Sequence, residues 1–363
     1  MKKILIGGLM AVSAVAAAQA ESVLNVYNWS DYIAPTTVPD FSKQTGIKVR
    51  YDVYDSMETL NAKLLTGRSG YDITVPSNNV LEVGIKAGLF QPLDKSKIPN
   101  YKNIDPALLK LMEASDPGNK YAVPYFWGTI TLGINEDKVK KALGGKLPDN
   151  SWDLLFKPEY VSKLKSCGVS VLDSPSDFLP VALRYYGKTP GSNNEADYKE
   201  ITPKLAAIRG SITRFSSSGY INDMASGDVC LALGYGGDLN IAKRRAEEAK
   251  HGVKVVPLVP KSGVAIWVDS MTIPKDAKNV ANALAWINYN LDAKVAAANA
   301  NKVTYAPGSL AARQFVDKKY LNDRSIFPTA EDVKGGFIMR SVDPKTLRIY
   351  SRLWQNFKLG RMS

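Results

Sequence analysis

From residue 23 to residue 75 the hydrophobic pattern alternates between a two-residue and a 3.6-residue period. Residues 23–27 are apolar and alternating, which predicts a strand, and a helix over 36–44 should end at Gly46. A second strand is predicted at 47–53. The helix after it starts near Ser56, carries Met57, Leu60, Leu64 and Leu65 on one face and stops at Gly67, and a strand follows at 71–75. Strand and helix in alternation argue for an α/β fold, a sheet covered by helices, in which ligands bind at loops beyond the carboxyl ends of strands. Residues 29–32 and 77–79 both fall at such ends.

Further on, Asp105-Pro106 supplies the cap and first residue of a helix that Asp116-Pro117-Gly118 closes. The aromatic stretch Tyr125-Phe126-Trp127 precedes a predicted strand at 129–134, which we place as the first crossing between two lobes. Two apolar runs, 167–172 and 229–233, predict strands that carry the two cysteines. Residues 255–260 and 265–273 then bring the chain back, an Ala-rich helix is expected over 279–300, and residues from about 306 return to the second lobe. A chain of 363 residues exceeds the usual size of one compact domain. The expected division is 1–20 as a signal peptide, 21–128 plus 261–305 as the first lobe, and 129–260 plus 306–363 as the second.

The first residues change the picture of where the protein works. Met1-Lys2-Lys3 is a positive start, residues 4–17 are apolar, and Ala18-Gln19-Ala20 is a small-residue cleavage site, which together match a secretory signal. A membrane anchor is the other reading, but the apolar run is short and is interrupted by Gly7, Gly8 and Ser13. The formal net charge of +12 raises nucleic acid or an anionic membrane as partners. Against both, the basic residues are scattered, and the densest cluster, Lys243-Arg244-Arg245, lies in a mixed-charge helical stretch that reads as a solvated face. Cys167 and Cys230 are an even count in an exported chain, so two neighbouring strands could bridge them; two buried thiols are the alternative. With His251 as the single histidine, a Cys/His metal site and a Ser-His triad both have little to work with.

Acidic and aromatic residues come together at four separated positions: Trp29-Ser30-Asp31-Tyr32, Ser174-Pro175-Ser176-Asp177, Tyr235-Gly236-Gly237-Asp238 and Trp267-Val268-Asp269. An aliphatic chain with ammonium ends calls for this chemistry, carboxylates for the N–H donors and ring faces for the methylenes. The pattern therefore points to a receptor for organic cations. Each acid also has a structural reading, since Asp31, Asp177 and Asp238 can cap a turn or helix. Asp269 is harder to dismiss, because Ala265, Trp267 and Asp269 share one face of a strand. The Gly-rich run 234–238 lacks the dinucleotide spacing, and Asp238 would repel a phosphate. Paired carboxylates leave an exported carboxylate-dependent hydrolase as an alternative.

Five segments resemble the periplasmic putrescine/spermidine-binding proteins of polyamine ABC importers. They are Tyr27-Asn28-Trp29-Ser30-Asp31-Tyr32-Ile33-Ala34-Pro35, Thr45-Gly46-Ile47-Lys48-Val49, Gln91-Pro92-Leu93-Asp94-Lys95-Ser96-Lys97, Asp149-Asn150-Ser151-Trp152-Asp153-Leu154 and Tyr220-Ile221-Asn222-Asp223. The resemblance implies a two-lobed type II periplasmic binding-protein fold that closes on its ligand about a hinge, and a pairing of Cys167 with Cys230. It makes Trp29 and Tyr32 aromatic walls, Ser30 a polar contact, Asp31 the pocket edge and Ser77 a ligand contact. Asp177 takes the place of a family Glu that binds an amine, Asp238 and Asp269 match two aspartates that take ammonium groups, and Tyr305 supplies a ring from the hinge side. Tyr235 stands where Trp is common. Trp267 before Val268-Asp269 leans toward spermidine, whereas Ser174, where some spermidine receptors carry a carboxylate, leans away from it. The implied protein is a periplasmic monomer, not an enzyme, that needs no cofactor or metal and hands a polyamine to an inner-membrane ABC permease. A polyamine receptor that feeds a signalling partner is a further alternative.

Overall fold

The computed structural model describes residues 22–329, 331–332 and 335–362, so the expected signal segment lies outside the described residues. Among the described residues the chain forms one mixed sheet of eleven strands. They are β1 (Val23–Trp29), β2 (Lys48–Tyr54), β3 (Ile73–Thr74), β4 (Ala122–Asn135), β5 (Val169–Val171), β6 (Arg214–Phe215), β7 (Leu231–Tyr235), β8 (Val255–Pro257), β9 (Ala265–Thr272), β10 (Ala306–Pro307) and β11 (Phe337–Ile338). The main order is β2-β1-β3-β9-β4-β7-β5-β6. Two sets of parallel strands, β1 with β2 and β3, and β5 with β6 and β7, flank an antiparallel centre made of β4 and β9.

β4 is the element that ties the two halves together. Residues 122–130 pair with β9, while 130–134 pair with β7 and 133–135 with β8. The expected crossing at 129–134 is thus the second half of a 14-residue strand, and Tyr125, Phe126 and Trp127 lie within it. Those rings are in the strand because bulky side chains fill both covered faces of a central strand.

Local chemistry sets the helices much as the pattern predicts. Gly46 ends Thr37–Thr45 at φ 73°, and Ser56 accepts from the Thr59 N–H at the start of Met57–Leu65. The single helix expected over 279–300 is two, Val280–Asn290 and Ala293–Val303. Asp292 causes the break, because its carboxylate accepts from the N–H groups of Lys294 and Val295 and so starts a new helix. Past residue 305 the chain does not leave these elements at once: β10 pairs with β4 at Trp127 and Phe126, and the Gly308 N–H donates to the Tyr125 carbonyl.

Cys167 and Cys230 form a disulfide with Cα atoms 5.5 Å apart. The two cysteines sit just ahead of two neighbouring parallel strands rather than inside them, Cys167 closing a short 3-10 turn before β5 and Cys230 preceding β7. No helix among the described residues is long and apolar enough to cross a membrane.

Candidate functional site

The carboxyl ends of β1, β5 and β7, and the helix N-termini that follow β3, β5 and β7, open onto one cleft. All eleven residues singled out from the sequence line it: Trp29, Ser30, Asp31, Tyr32, Ser77, Asp177, Tyr235, Asp238, Trp267, Asp269 and Tyr305. The lining holds five aspartates and neither Lys nor Arg, in a chain whose formal net charge is +12. The local field therefore opposes that of the whole protein and favours a cation.

Each inner carboxylate is held by hydroxyls. Asp269, 3% exposed on β9, accepts a hydrogen bond from Ser77 Oγ. Ser77 caps the helix Asn78–Lys86 and forms an isolated β-bridge with Asp269, so the helix end and the strand fix each other. Asp177 accepts from Tyr235 Oη at 2.7 Å. Asp238 accepts from Tyr305 Oη at 2.7 Å and from Tyr220 Oη at 2.9 Å, using both oxygens. Asp177 and Asp238 are first-turn residues of the helices Pro175–Tyr185 and Gly236–Ala249 rather than their caps. The capping alternative thus fails for both, although the helix N-termini still favour their ionised forms.

Burial dominates the electrostatics. Desolvation lifts Asp269 to about 7 against the hydroxyls of Ser77 and Tyr32, with the Asp177 charge adding to the rise. The Tyr32 hydroxyl has no partner at ordinary hydrogen-bond distance, so Ser77 is the firmer contact. Asp177 and Asp238 keep part of their surface open to the cleft, yet desolvation by the surrounding protein raises each to about 6 against its tyrosine donors. Without a counter-cation these groups hold their charge at a cost, which a bound ammonium would offset.

Aromatic rings wall the space between the acids. The Trp267 and Tyr305 ring centroids are 5.1 Å apart, Tyr32 and Tyr305 5.4 Å, and Tyr235 and Trp267 6.1 Å. Two glycines make room for them: a Cβ at Gly128 of β4 would press on Trp267, and one at Gly237 would overlap the Tyr305 ring. Gly237→Ala is therefore expected to displace Tyr305 and cost about 1–3 kcal/mol of stability, read from urea unfolding, because overpacking a close contact strains it. Ligand affinity should fall with it, since Tyr305 also holds Asp238.

Ser30 and Asp31 are exposed at the mouth, and Asp31 takes a left-handed backbone at φ 55°. The sequence reading missed Tyr54, Asp55, Met57, Asn79, Ser217, Ser218, Ile221 and Met339, which also line the cleft. Tyr54-Asp55 repeats the aromatic-acid pairing at the end of β2 and was detectable on that pattern; Met339 carries no signal. The described residues hold no group of His, Cys, Asp and Glu that could bind a metal ion.

A two-lobed α/β clamp with its cleft at strand ends is the type II periplasmic binding-protein fold, and it defines a solute receptor. The chain belongs to the bacterial extracellular solute-binding proteins, whose family profile matches residues 36–328. It is 49% identical to the putrescine-binding periplasmic protein SpuD of Pseudomonas aeruginosa (strain UCBPP-PA14), over 96% of this chain and 95% of that one. It is 47% identical to the putrescine-binding periplasmic protein PotF of Escherichia coli (strain K12), over 98% and 96%. Among solved structures, a putative spermidine/putrescine ABC transporter protein from Listeria monocytogenes superposes with a TM-score of 0.82 at 31% identity, covering 93% of this chain and 99% of that chain. The family is one of solute-binding proteins, so the hydrolase alternative falls.

Proposed function

We propose that the protein captures a short aliphatic polyamine in the periplasm and delivers it to the membrane permease of an ABC importer. The observation that carries this reading is the cleft itself, five aspartates and a ring of aromatic side chains with no basic residue among them. Asp177, Asp238 and Asp269 would take ammonium groups, and Trp29, Tyr32, Tyr235, Trp267 and Tyr305 the methylenes between them, with Ser30, Asp31 and Ser77 supplying polar contacts. A charge-assisted hydrogen bond contributes roughly 1.5–3 kcal/mol net, and micromolar binding needs about 8 kcal/mol. Two paired ammonium groups and a buried alkyl chain reach that.

The relatives near half identity are named for putrescine, and Trp267 argues for spermidine, so rank order is a matter for titration. The lobes we propose are 22–128 with 261–316, and 129–260 with the chain from 317 onward. This moves the second boundary past β10, which pairs with β4 beside Tyr125. A monomer suits a clamp that must open and close by itself. Calorimetric titration of the stripped protein with putrescine, spermidine, cadaverine, agmatine and spermine tests the reading. One-to-one binding of at least one of them is expected, and no heat with any would overturn it.

A further inference from the structure

The segment Tyr220-Ile221-Asn222-Asp223 stands out in the sequence, yet it enters the cleft as described only through Ile221 in its wall and the Tyr220 hydroxyl on Asp238. Tyr220 is completely buried and does not line the cleft. Its hydroxyl accepts from the Tyr235 N–H at 3.0 Å and donates to Asp238 Oδ2 at 2.9 Å. Tyr235 in turn donates through its own hydroxyl to Asp177. One phenol therefore stands behind two carboxylates, touching Asp238 directly and reaching Asp177 through the residue whose backbone it holds.

The arrangement is built into the backbone. Tyr220 is the first residue of the helix Tyr220–Ser226, and its ring lies against Gly234 so closely that any Cβ there would overlap it. A glycine in the middle of a strand costs stability unless a close approach requires it, and here one does. Tyr305 is the mirror case on the other oxygen, since it accepts from the Asp238 N–H at 3.1 Å and donates to Oδ1. An N–H that donates to a hydroxyl polarises it as a donor, so each phenol gives Asp238 a strengthened hydrogen bond.

We propose that Tyr220 is a positioning residue for ligand capture, which fixes Asp238 and the Tyr235-Asp177 pair in the orientation that receives ammonium groups. The proposal rests on the polyamine reading for its ligand but not for its geometry. The charged or titratable groups that act on Asp238 are the phenols Tyr220 and Tyr305, the Asp31 carboxylate across the mouth, which opposes its ionisation, and Arg245 on its own helix, which favours it. Removing the Tyr220 hydroxyl takes away a donor that favours the ionised carboxylate, so Asp238 should protonate at higher pH.

The test compares wild type with Tyr220→Phe, using putrescine as the probe and isotope-edited NMR of aspartate carboxyls in the ligand-free protein. The variant is expected to bind putrescine about 10-fold or more weakly at pH 8, and the Asp238 titration midpoint should move upward. A fluorinated tyrosine placed at 220, which keeps the bond and makes the hydroxyl a better donor, should move the midpoint downward. That substitution carries the test if the Phe variant does not fold. A structural role alone would move neither midpoint, and unchanged midpoints in the folded variants would overturn the proposal. If wild type binds neither putrescine nor any of the other four polyamines, the polyamine reading fails while the carboxyl titration still decides the role of Tyr220.

Discussion

Asp269→Asn should weaken polyamine binding by at least about 100-fold at pH 8 in calorimetry, while the ligand-free protein melts no lower than wild type. Removing one partner of a buried, hydrogen-bonded charge pair costs about 2–5 kcal/mol, and 1.4 kcal/mol is a factor of ten. Asp269 is the deepest of the three acids, 3% exposed, and the amide keeps its shape and can still accept from Ser77. The stability half follows from the same burial. An ionised carboxylate raised to about 7 is held against its own desolvation, so the neutral replacement relieves the empty protein. Full affinity in the variant would show that the ligand's charge is met elsewhere.

Acidification from pH 8 to pH 5 should lower affinity by two to four decades, with proton release on binding growing as the pH falls across that range. Asp269 at about 7 must lose its proton to pair with an ammonium group, which alone is on the order of 100-fold at pH 5. Asp177 and Asp238, each at about 6, add roughly a decade apiece, and because the sites interact the titration belongs to the set. Stability of the empty protein runs the other way. These carboxyls are raised above their unfolded values near 3.8, so between pH 4 and 7 the folded state binds more protons and loses stability as pH rises. Glu82, lowered to about 2 beside Arg340 and Lys86, opposes this only below pH 4.5. Thermal melts with and without putrescine at pH 5 and pH 8 would show the crossing trends; parallel trends would contradict the burial of the three acids.

Much of the first half of the fold is legible because its signals are local. Gly46, Ser56 and Asp105 each act within a few residues, and each caps the helix that the periodicity predicts. The misses have non-local causes. Nothing near Tyr125-Phe126-Trp127 shows that β9 will cover it, and only the paired sheet makes 122–135 one strand. Asp292 was a cap in plain view, but the Ala-rich period on both sides of it hid the break. In the site, the acid-aromatic grouping was readable because both residue types fall at strand ends. The partnership of each acid with a particular hydroxyl was not, since Tyr220 and Asp238 lie on separate helices, 18 positions apart in the chain, and meet only when those helices pack.

The disulfide has a consequence for the order of events in the life of the chain. It closes a sequence separation of 63 residues that contains both Asp177 and Tyr220. A cross-link of that span disfavours the unfolded state by about 4 kcal/mol in the chain-entropy account. Cytosolic reductants keep thiols apart, whereas an extracytoplasmic compartment oxidises them. The half of the molecule with most of the hydroxyl-held acids is therefore less committed to its shape until that bond forms. Oxidation in the periplasm then acts as a ratchet, which hinders the finished receptor from unravelling.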